Sequence, residues 1–443
     1  KKTLDPPVSQ AIYNAITVLE DVGALSPNEE LTELGEKLGS IPVHPVTSKM
    51  LLFAISMNCL DPALTLACAS NFRDPFTLPM SPDDKVKANA AKSELASLYG
   101  SHGDQLAIIA AFECWKNAKQ SGNVARFCSQ YFVSPGVMRM LYAMREQLKS
   151  ELHMNGFIPE NSRFSENSQD GGIINAVLVA GLYPMVGRLF LPTPIVKRCV
   201  IKDASDQRVC VGRQSVNSRL TLKKKDVVPL VIYNEVTRGD AGLSIKNCSI
   251  IGPLPLLLLA TEIAVAPIND DNETICKVND EDGNKERVKE KFMSNPDTMV
   301  EVIADRWLSF KSTALDAAQI CCLRERLSEA ILFKIAHPGK DLPRVLAASV
   351  VAIAKVLSSD GISGINEYFE SADLSTSVVA ETDLGQQGKN GAIAGSVGSL
   401  RSLLSNGSES QPQHPSNVAP ENIHPNHDAP RKGSLKRPRE DTA

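Results

Sequence analysis

The chain has 443 residues, 43% of them hydrophobic, a composition typical of a globular protein with room for several domains of roughly 100–200 residues each. Its formal net charge of −4 at pH 7 gives no indication of nucleic-acid binding for the whole chain, so charge has to be followed region by region. The longest apolar run, residues 254–260, is too short to span a bilayer, and no membrane partner is expected.

Residues 1–46 predict a small helical unit with a turn. One helical face after the Pro6-Pro7 pair is marked by Val8, Ile12, Ala15 and Leu19. Residues 24–32 are typical of a short hairpin or wing, and Thr32 is placed to cap a last short helix that ends near Gly39.

Residues 47–155 predict a bundle of helices. The clearest helix has Ser134 as its cap and Pro135 at its first position. Its apolar stripe consists of Val137, Leu141, Met144, Leu148 and Leu152. We interpret this stripe as bundle core, because apolar residues at helical spacing most often pack against neighbouring helices.

Residues 156–170 are polar and predict a linker, and the pattern changes after them. In residues 171–268, short β-prone runs are separated by Pro, Gly and Asp at the spacing of a small barrel or sandwich. The runs are 196–201, 208–212, 219–222, 227–233 and 249–259.

The last part of the chain predicts a helical extension and a tail. Residues 270–290 are charged and loop-like, and residues 296–360 predict helices. Residues 370–443 are rich in Ser, Gly, Asn, Gln, His and Pro. Such a segment buries too little apolar area to offset the entropy of ordering, so we expect disorder there.

No catalytic or metal-binding motif is found. There is no GxxxxGK[ST] phosphate loop and no acidic box of the DEAH type, so this chain alone is not expected to hydrolyse ATP or to hold a cofactor. The ten cysteines include no CxxC pair and no zinc spacing. Most stand in apolar runs, which indicates a reducing compartment, cytosol or nucleus.

Two basic regions stand out from the near-neutral chain. Residues 187–246 hold twelve basic and five acidic residues, a net of +7, which favours phosphate binding, although a Lys-rich loop also keeps strand edges soluble. The second region lies in the tail and predicts a nuclear-import signal or a weak nucleic-acid tether, with a merely solvated end as the alternative. Its cations are Arg431, Lys432, Lys436, Arg437 and Arg439.

Several stretches lie in a recognisable order along residues 3–357, namely 3–7, 23–25, 31–35, 41–50, 103–107, 127–134, 181–184, 226–235, 250–264, 305–308 and 323–327. Together they resemble the C-terminal half of DExH-box (DEAH/RHA-class) ATP-dependent RNA helicases. The residues 237–240 and the basic tail are similar to those of plant nuclear DEIH-box members. The chain departs from the family at Gln105, where His is usual, and at 212–214, where the family normally has a His-Pro pair.

The resemblance implies a multidomain α+β fold. Its parts are a winged-helix remnant at 1–46, a helical ratchet (helicase-associated) domain at 47–155, an OB-like β-barrel at 171–268, a helical extension at 296–360 and a disordered tail at 370–443. In the complete helicase, which uses ATP and magnesium, the winged helix would brace the second RecA-like motor domain. The ratchet and the barrel would hold a single strand of RNA or DNA that is threaded 3′-ward.

The resemblance also suggests nucleic-acid-binding residues. Asp104 and Gln105 stand at the start of the ratchet helix. Backbone contacts are expected from Arg213, Asn217, Arg219, Lys223, Lys224 and Lys225. The alternatives are a stand-alone nucleic-acid-binding protein and a scaffold whose barrel receives a helicase cofactor protein. Localisation in the nucleus is expected, and an additional presence in the cytoplasm is left open.

Overall fold

The structure is a computed structural model that describes residues 6–70, 72–100, 102–159, 164–193, 197–218, 220, 228–239, 242–268 and 296–359. The predictions for 270–290, for the tail at 370–443 and for its basic cluster lie outside these residues. Within the described ranges the chain forms twelve helices and ten strands. None of these helices is both long enough and apolar enough to cross a membrane.

The N-terminal unit consists of α1 (Ser9–Val22), α2 (Glu33–Gly39) and a tight turn between them. Leu25 and Leu31 form an antiparallel bridge inside this turn. As predicted, Thr32 caps α2, because its hydroxyl accepts a hydrogen bond from the Gly35 N–H at 2.9 Å. Gly35 is required here, since a Cβ at this position would lie 2.2 Å from the Ala24 carbonyl oxygen.

Seven helices form the central bundle. They are α3 (Pro45–Ser56), α4 (Leu60–Ser70), α5 (Pro82–Ser97), α6 (Asp104–Gln120), α7 (Val124–Gln130), α8 (Pro135–Met154) and α9 (Gly171–Leu182). The predicted start of α8 is confirmed, with the Ser134 hydroxyl accepting from the Val137 N–H. Helix α9 lies in the range predicted for the barrel, yet it packs against α3 and is buried along eleven of its twelve residues. A run buried on all sides has no polar face, so periodicity alone does not identify it as a helix.

A curled seven-stranded sheet follows α9. Its strands are β1 (Val186–Phe190), β2 (Val200–Lys202), β3 (Arg208–Val211), β4 (Leu230–Tyr233), β5 (Val236–Gly239), β6 (Gly242–Ile245) and β7 (Cys248–Ile251). The order is β5-β6-β3-β2-β1-β4-β7, and all pairs are antiparallel except β3 with β6. The inner face holds a separate apolar core that includes Leu189, Ile201, Val209 and Val231.

The outer face of this sheet is divided into two halves. Val186, Ile232 and Ile251 belong to the same apolar core as the helices, so this half packs against the bundle. The other half lies away from the bundle and includes Phe190, which is 37% exposed. Strand β7 ends at Ile251 and is followed by α10 (Pro253–Leu259), so a strand prediction over 249–259 is wrong after Ile251. Pro253 at the first helical position favours this switch.

The C-terminal part begins with a second sheet of β8 (Ile263–Pro267), β9 (Met299–Ala304) and β10 (Leu308–Thr313), in the order β10-β9-β8. The prediction of helices throughout 296–360 is wrong for β9 and β10. Val300, Val302 and Ala304 are buried while the residues between them are not, which is the period of a strand. The remainder is helical as predicted, with α11 (Ala314–Ala336) and α12 (Arg344–Ser359).

Candidate nucleic-acid interface

Asp104, the first residue of α6, is fully buried and is surrounded by donors from other elements. Its carboxylate accepts hydrogen bonds from the Ser215 hydroxyl, from the Val216 N–H at 3.0 Å and from the Cys248 N–H at 3.0 Å. A buried carboxylate with this many donors is satisfied and rigid. The start of the predicted ratchet helix is therefore tied to two segments of the seven-stranded sheet.

Lys92 of α5 completes this arrangement. Its ammonium lies 2.8 Å from the Asp104 carboxylate and also donates to the Gln214 carbonyl oxygen at 3.3 Å. Burial disfavours the charged ammonium, but the carboxylates of Asp104 and Asp74 outweigh this effect, so the pKa of Lys92 lies above its ordinary value. The Lys92 ammonium thus stays charged at neutral pH and pairs with Asp104 inside the protein.

Asn217 is also fully buried. Its amide group donates to the His102 carbonyl oxygen at 3.2 Å and to the Cys248 carbonyl oxygen at 2.9 Å. Burial raises the pKa of the neighbouring Cys248 thiol to about 12, so this cysteine is a packing residue without a reactive thiolate. Asn217 therefore holds the loop 212–218 in place and presents no side chain to solvent.

Gln105, the next residue of α6, makes a second set of contacts. Its amide group donates to the Asn234 side-chain oxygen at 2.8 Å, and its oxygen accepts from the Ser249 hydroxyl. The backbone approaches closely as well, since a Cβ at Gly103 would lie 2.3 Å from the Ser249 oxygen. We call Asp104 and Gln105 the α6 anchor, because two consecutive residues fasten two separate loops of the sheet.

A cleft of about 430 Å³ lies between the bundle and the sheet beside this anchor. The sheet lines it with Asn234, Glu235, Lys246 and Asn247, and the bundle lines it with residues of α3, α4 and the segment after α4, among them His44 and Phe72. Asn234 is the residue that Gln105 holds. The anchor therefore determines the position of one wall of the cleft relative to the other.

The eight predicted nucleic-acid-binding residues are distributed in three ways. Asp104, Gln105 and Asn217 are buried and each is hydrogen-bonded to other protein groups, whereas Arg213 is exposed on the loop 212–218. Arg219, Lys223, Lys224 and Lys225 lie outside the described residues. Direct contact of any of the eight with nucleic acid stays a prediction.

A second, half-buried charge cluster lies within the bundle, away from the sheet. Arg145 of α8 donates to the Asp61 carboxylate and the Thr65 hydroxyl and stacks 4.5 Å from the centre of the Phe112 ring. Burial favours the neutral form of Asp61, but Arg145 and Lys116 outweigh it and hold the pKa of Asp61 below its usual value. Burial and the charge of Asp61 raise the pKa of Glu113.

Sequence reasoning missed Lys92, Asn234 and Lys246 as site residues. Lys92 lies in α5, a helix whose weak apolar patterning gives little signal in the sequence, and it is 122 positions from its acceptor Gln214. No local signal connects such residues, because only the folded chain brings them together. Within the described ranges, no group of three or more His, Cys, Asp or Glu is placed to hold a metal ion.

Comparison with known proteins identifies the central bundle. Residues 44–130 match the helicase associated domain (HA2), ratchet-like. The chain is 51% identical to the DExH-box ATP-dependent RNA helicase DExH6 of Arabidopsis thaliana over 391 residues, which are 83% of this chain and 30% of that protein. It is 47% identical to the DExH-box ATP-dependent RNA helicase DExH2 of the same plant, covering 86% of this chain and 25% of that protein.

A human protein is also similar. The ATP-dependent DNA/RNA helicase DHX36 of Homo sapiens is 31% identical over 344 residues, covering 76% of this chain and 31% of that protein. The chain thus spans less than a third of the length of each of these three relatives. The HA2 match and the identity along most of the chain confirm the resemblance seen in the sequence. The protein belongs to the DExH-box RNA helicase family, of which it represents the C-terminal region.

Proposed function

We propose that this chain grips single-stranded RNA or DNA as the nucleic-acid-handling region of an ATP-dependent 3′-to-5′ helicase. The ATP- and magnesium-binding motor would belong to the part of the relatives that this chain does not match. Helicase relatives named for RNA and for both DNA and RNA support this class of ligand. In this proposal, the N-terminal unit is the winged-helix remnant and the curled sheet is the OB-like barrel.

The α6 anchor is the single observation that carries the proposal. A region that grips a moving strand has to keep its contact surfaces in fixed relation, because a displacement of about 1 Å is enough to weaken such contacts. Asp104 and Gln105 meet this requirement through hydrogen bonds to Val216 and Asn234 on two loops. We infer that the ratchet helix and both loops move as one body when the strand advances.

The charges around the cleft support the same function. Arg213 is exposed on the loop that Asp104 holds, and Lys246 lines the cleft. Both cations are placed to contact phosphates without reading sequence. We propose that Arg219 and the three lysines 223–225 extend this surface, because they follow Arg213 closely in the sequence.

An exposed apolar face formed by α1 and by Val8, which directly precedes it, supports a place beside the motor. Val8 is 71% exposed, Tyr13 is 66% exposed and Ile12 is 46% exposed. Large apolar side chains grouped in this way mark interaction surfaces. We propose that the second RecA-like motor domain covers them. We also propose that the tail cations predicted as an import signal direct the protein to the nucleus.

The proposal is tested by binding of a fluorescent single-stranded RNA to this chain across a salt series. We expect binding that weakens steeply with salt, and a shallower slope for the Lys223→Ala/Lys224→Ala/Lys225→Ala variant and for Arg213→Ala. A variant with Lys340→Ala, a cation of the loop between α11 and α12, serves as the control. Absence of binding at low salt, together with capture of a helicase cofactor protein, would instead favour the scaffold.

A further inference from the structure

Three cations stand in register across the outer face of the sheet. Arg188 of β1 lies directly opposite Lys202 of β2, and Lys202 lies directly opposite Arg208 of β3. Neighbouring strands are about 4.8 Å apart, so the three positions extend over roughly 10 Å. We call Arg188, Lys202 and Arg208 the cation row. None of them lines the cleft.

Aromatic rings flank this row on the same side. Phe190 lies two residues after Arg188 in β1. Every second residue of a strand points to the same face of the sheet, so Phe190 and Arg188 share a face. The Lys202 ammonium lies 5.6 Å from the centre of the Phe190 ring. At the other side, the Arg188 guanidinium lies 5.7 Å from the centre of the Trp307 ring and donates to its carbonyl oxygen at 2.9 Å.

Like charges directly opposite each other in a sheet are destabilising. The protein relieves this repulsion only partly. Arg188 is drawn toward Trp307, and Lys202 forms an ion pair of 2.7 Å with Asp206, whose side chain is 77% exposed. No salt bridge holds Arg208 within the described residues. An exposed ion pair such as that of Lys202 is worth at most about 1 kcal/mol, so a phosphate can replace it.

A face on which aromatic rings flank a row of cations fits one class of ligand best. Single-stranded nucleic acid is bound by cations that follow its backbone and by rings on which bases stack. An acidic peptide would need the cations but would gain little from the ring of Phe190, which is 37% exposed. We propose that the cation row with Phe190 and Trp307 is a second contact surface for single-stranded nucleic acid, separate from the cleft.

This proposal takes its ligand class from the proposed function and adds a surface to it. The test uses the whole chain and a fluorescent single-stranded RNA of 20 nucleotides over a salt series. Replacing Lys202→Gln and Arg208→Gln together should weaken binding and make the salt slope shallower by about 1.4, at roughly 0.7 per lost phosphate contact on a single strand. The charge-retaining pair Lys202→Arg and Arg208→Lys should keep the original slope.

A variant of opposite sign separates binding from folding. Asp206→Asn removes the carboxylate that competes for Lys202, and Asn tolerates the left-handed backbone of this position, where φ is 58°. It should tighten RNA binding by about two- to five-fold, the range expected for one exposed ion pair. A merely structural role of the row predicts no such gain.

A matched control removes two cations elsewhere. Arg326→Gln with Lys340→Gln changes α11 and the loop after it, and the salt slope should stay unchanged. Light-induced cross-linking of RNA that contains 5-bromouridine, followed by mass spectrometry, should place uridine on Phe190 or Trp307.

The outcomes distinguish this proposal from the one on which it rests. If the row variants and Asp206→Asn bind like the wild type while Arg213→Ala binds less tightly, the cation row is not a contact surface and the proposed function stands. An acidic peptide can also be used to displace RNA from the wild type and from the row variants. If it displaces RNA equally well from both, the proposal that the cation row contacts RNA is overturned. If the wild-type chain binds no RNA at low salt, both proposals fall.

Discussion

Asp104 and Asp61 are two carboxylates of the same helical bundle with different roles. Asp104 is fully buried, whereas the side chain of Asp61 is 29% exposed. Asp104 accepts hydrogen bonds from Ser215, Val216 and Cys248, all of which belong to the sheet or its loops. Asp61 is paired with Arg145 and lies near Lys116, so its partners belong to the bundle itself. Both carboxylates are paired with a buried cation, but Asp104 joins the bundle to the sheet whereas Asp61 stabilises the bundle alone. Loss of either should therefore cost stability, and only loss of Asp104 should also change binding.

The largest effect is expected for Asp104→Ala. The change leaves Lys92, whose side chain is 7% exposed, as an unpaired buried cation, and it frees two backbone N–H groups of the sheet. We expect a loss of about 3–5 kcal/mol in the free energy of unfolding, measured with urea. Asp83→Ala at the exposed start of α5 is the control and should stay within about 0.5 kcal/mol.

The folded Asp104→Ala protein should also bind single-stranded RNA with a shallower salt dependence. The slope should fall by about the amount expected for one lost phosphate contact, because Arg213 loses its fixed position. An unchanged slope in the folded variant would contradict the role of the α6 anchor in binding.

A smaller effect is expected for Asp61→Asn. Arg145 keeps its hydrogen bonds to the Asp61 carbonyl oxygen and to Thr65 but loses its charged partner. We expect a loss of about 2 kcal/mol in the free energy of unfolding, the range for a hydrogen bond to a charged group. RNA binding by the folded variant should equal that of the wild type. A loss of binding as large as that of Asp104→Ala would remove the distinction between the two carboxylates.

The smallest effect concerns pH and Glu113. Its pKa is raised in the folded protein by burial and by Asp61, above the ordinary value of 4.5. A carboxyl group that holds its proton more tightly when folded contributes stability below its unfolded pKa. This contribution is lost as pH rises through the folded pKa. Unfolding free energies measured from about pH 4 to about pH 8 should therefore decline less for Glu113→Gln than for the wild type. Parallel curves would contradict the raised pKa.

Much of the helical architecture could be predicted from local sequence. Thr32 and Ser134 cap helices where predicted, because a capping hydroxyl acts on N–H groups within three residues. Helix α9 and the hairpin of β9 and β10 were placed wrongly. Helix α9 is buried on all sides, so it lacks the polar face that would reveal the helical period. The strands β9 and β10 are only six residues each, and the strong helical pattern that follows them dominates the prediction for this region.

The candidate site divides in the same way. The excess of basic residues over 187–246 is visible in the sequence and favours a phosphate-binding surface. The sequence does not reveal that Asp104 and Gln105 act from inside the protein. Their partners lie more than 100 positions away, at Ser215, Asn234 and Ser249. The register of Arg188, Lys202 and Arg208 is equally invisible, because cross-strand neighbours depend on pairing and not on spacing.

The sequence by itself therefore determined the helicase family, the helical bundle with its caps and the location of the basic region. Each of these depends on residue type or on short periodic patterns along the chain. Only the tertiary structure decided which polar residues are buried as anchors, which cations share a face and where a cleft opens between Asn234 and His44. Burial and cross-strand neighbours arise from packing between distant segments, and local physical chemistry does not encode them.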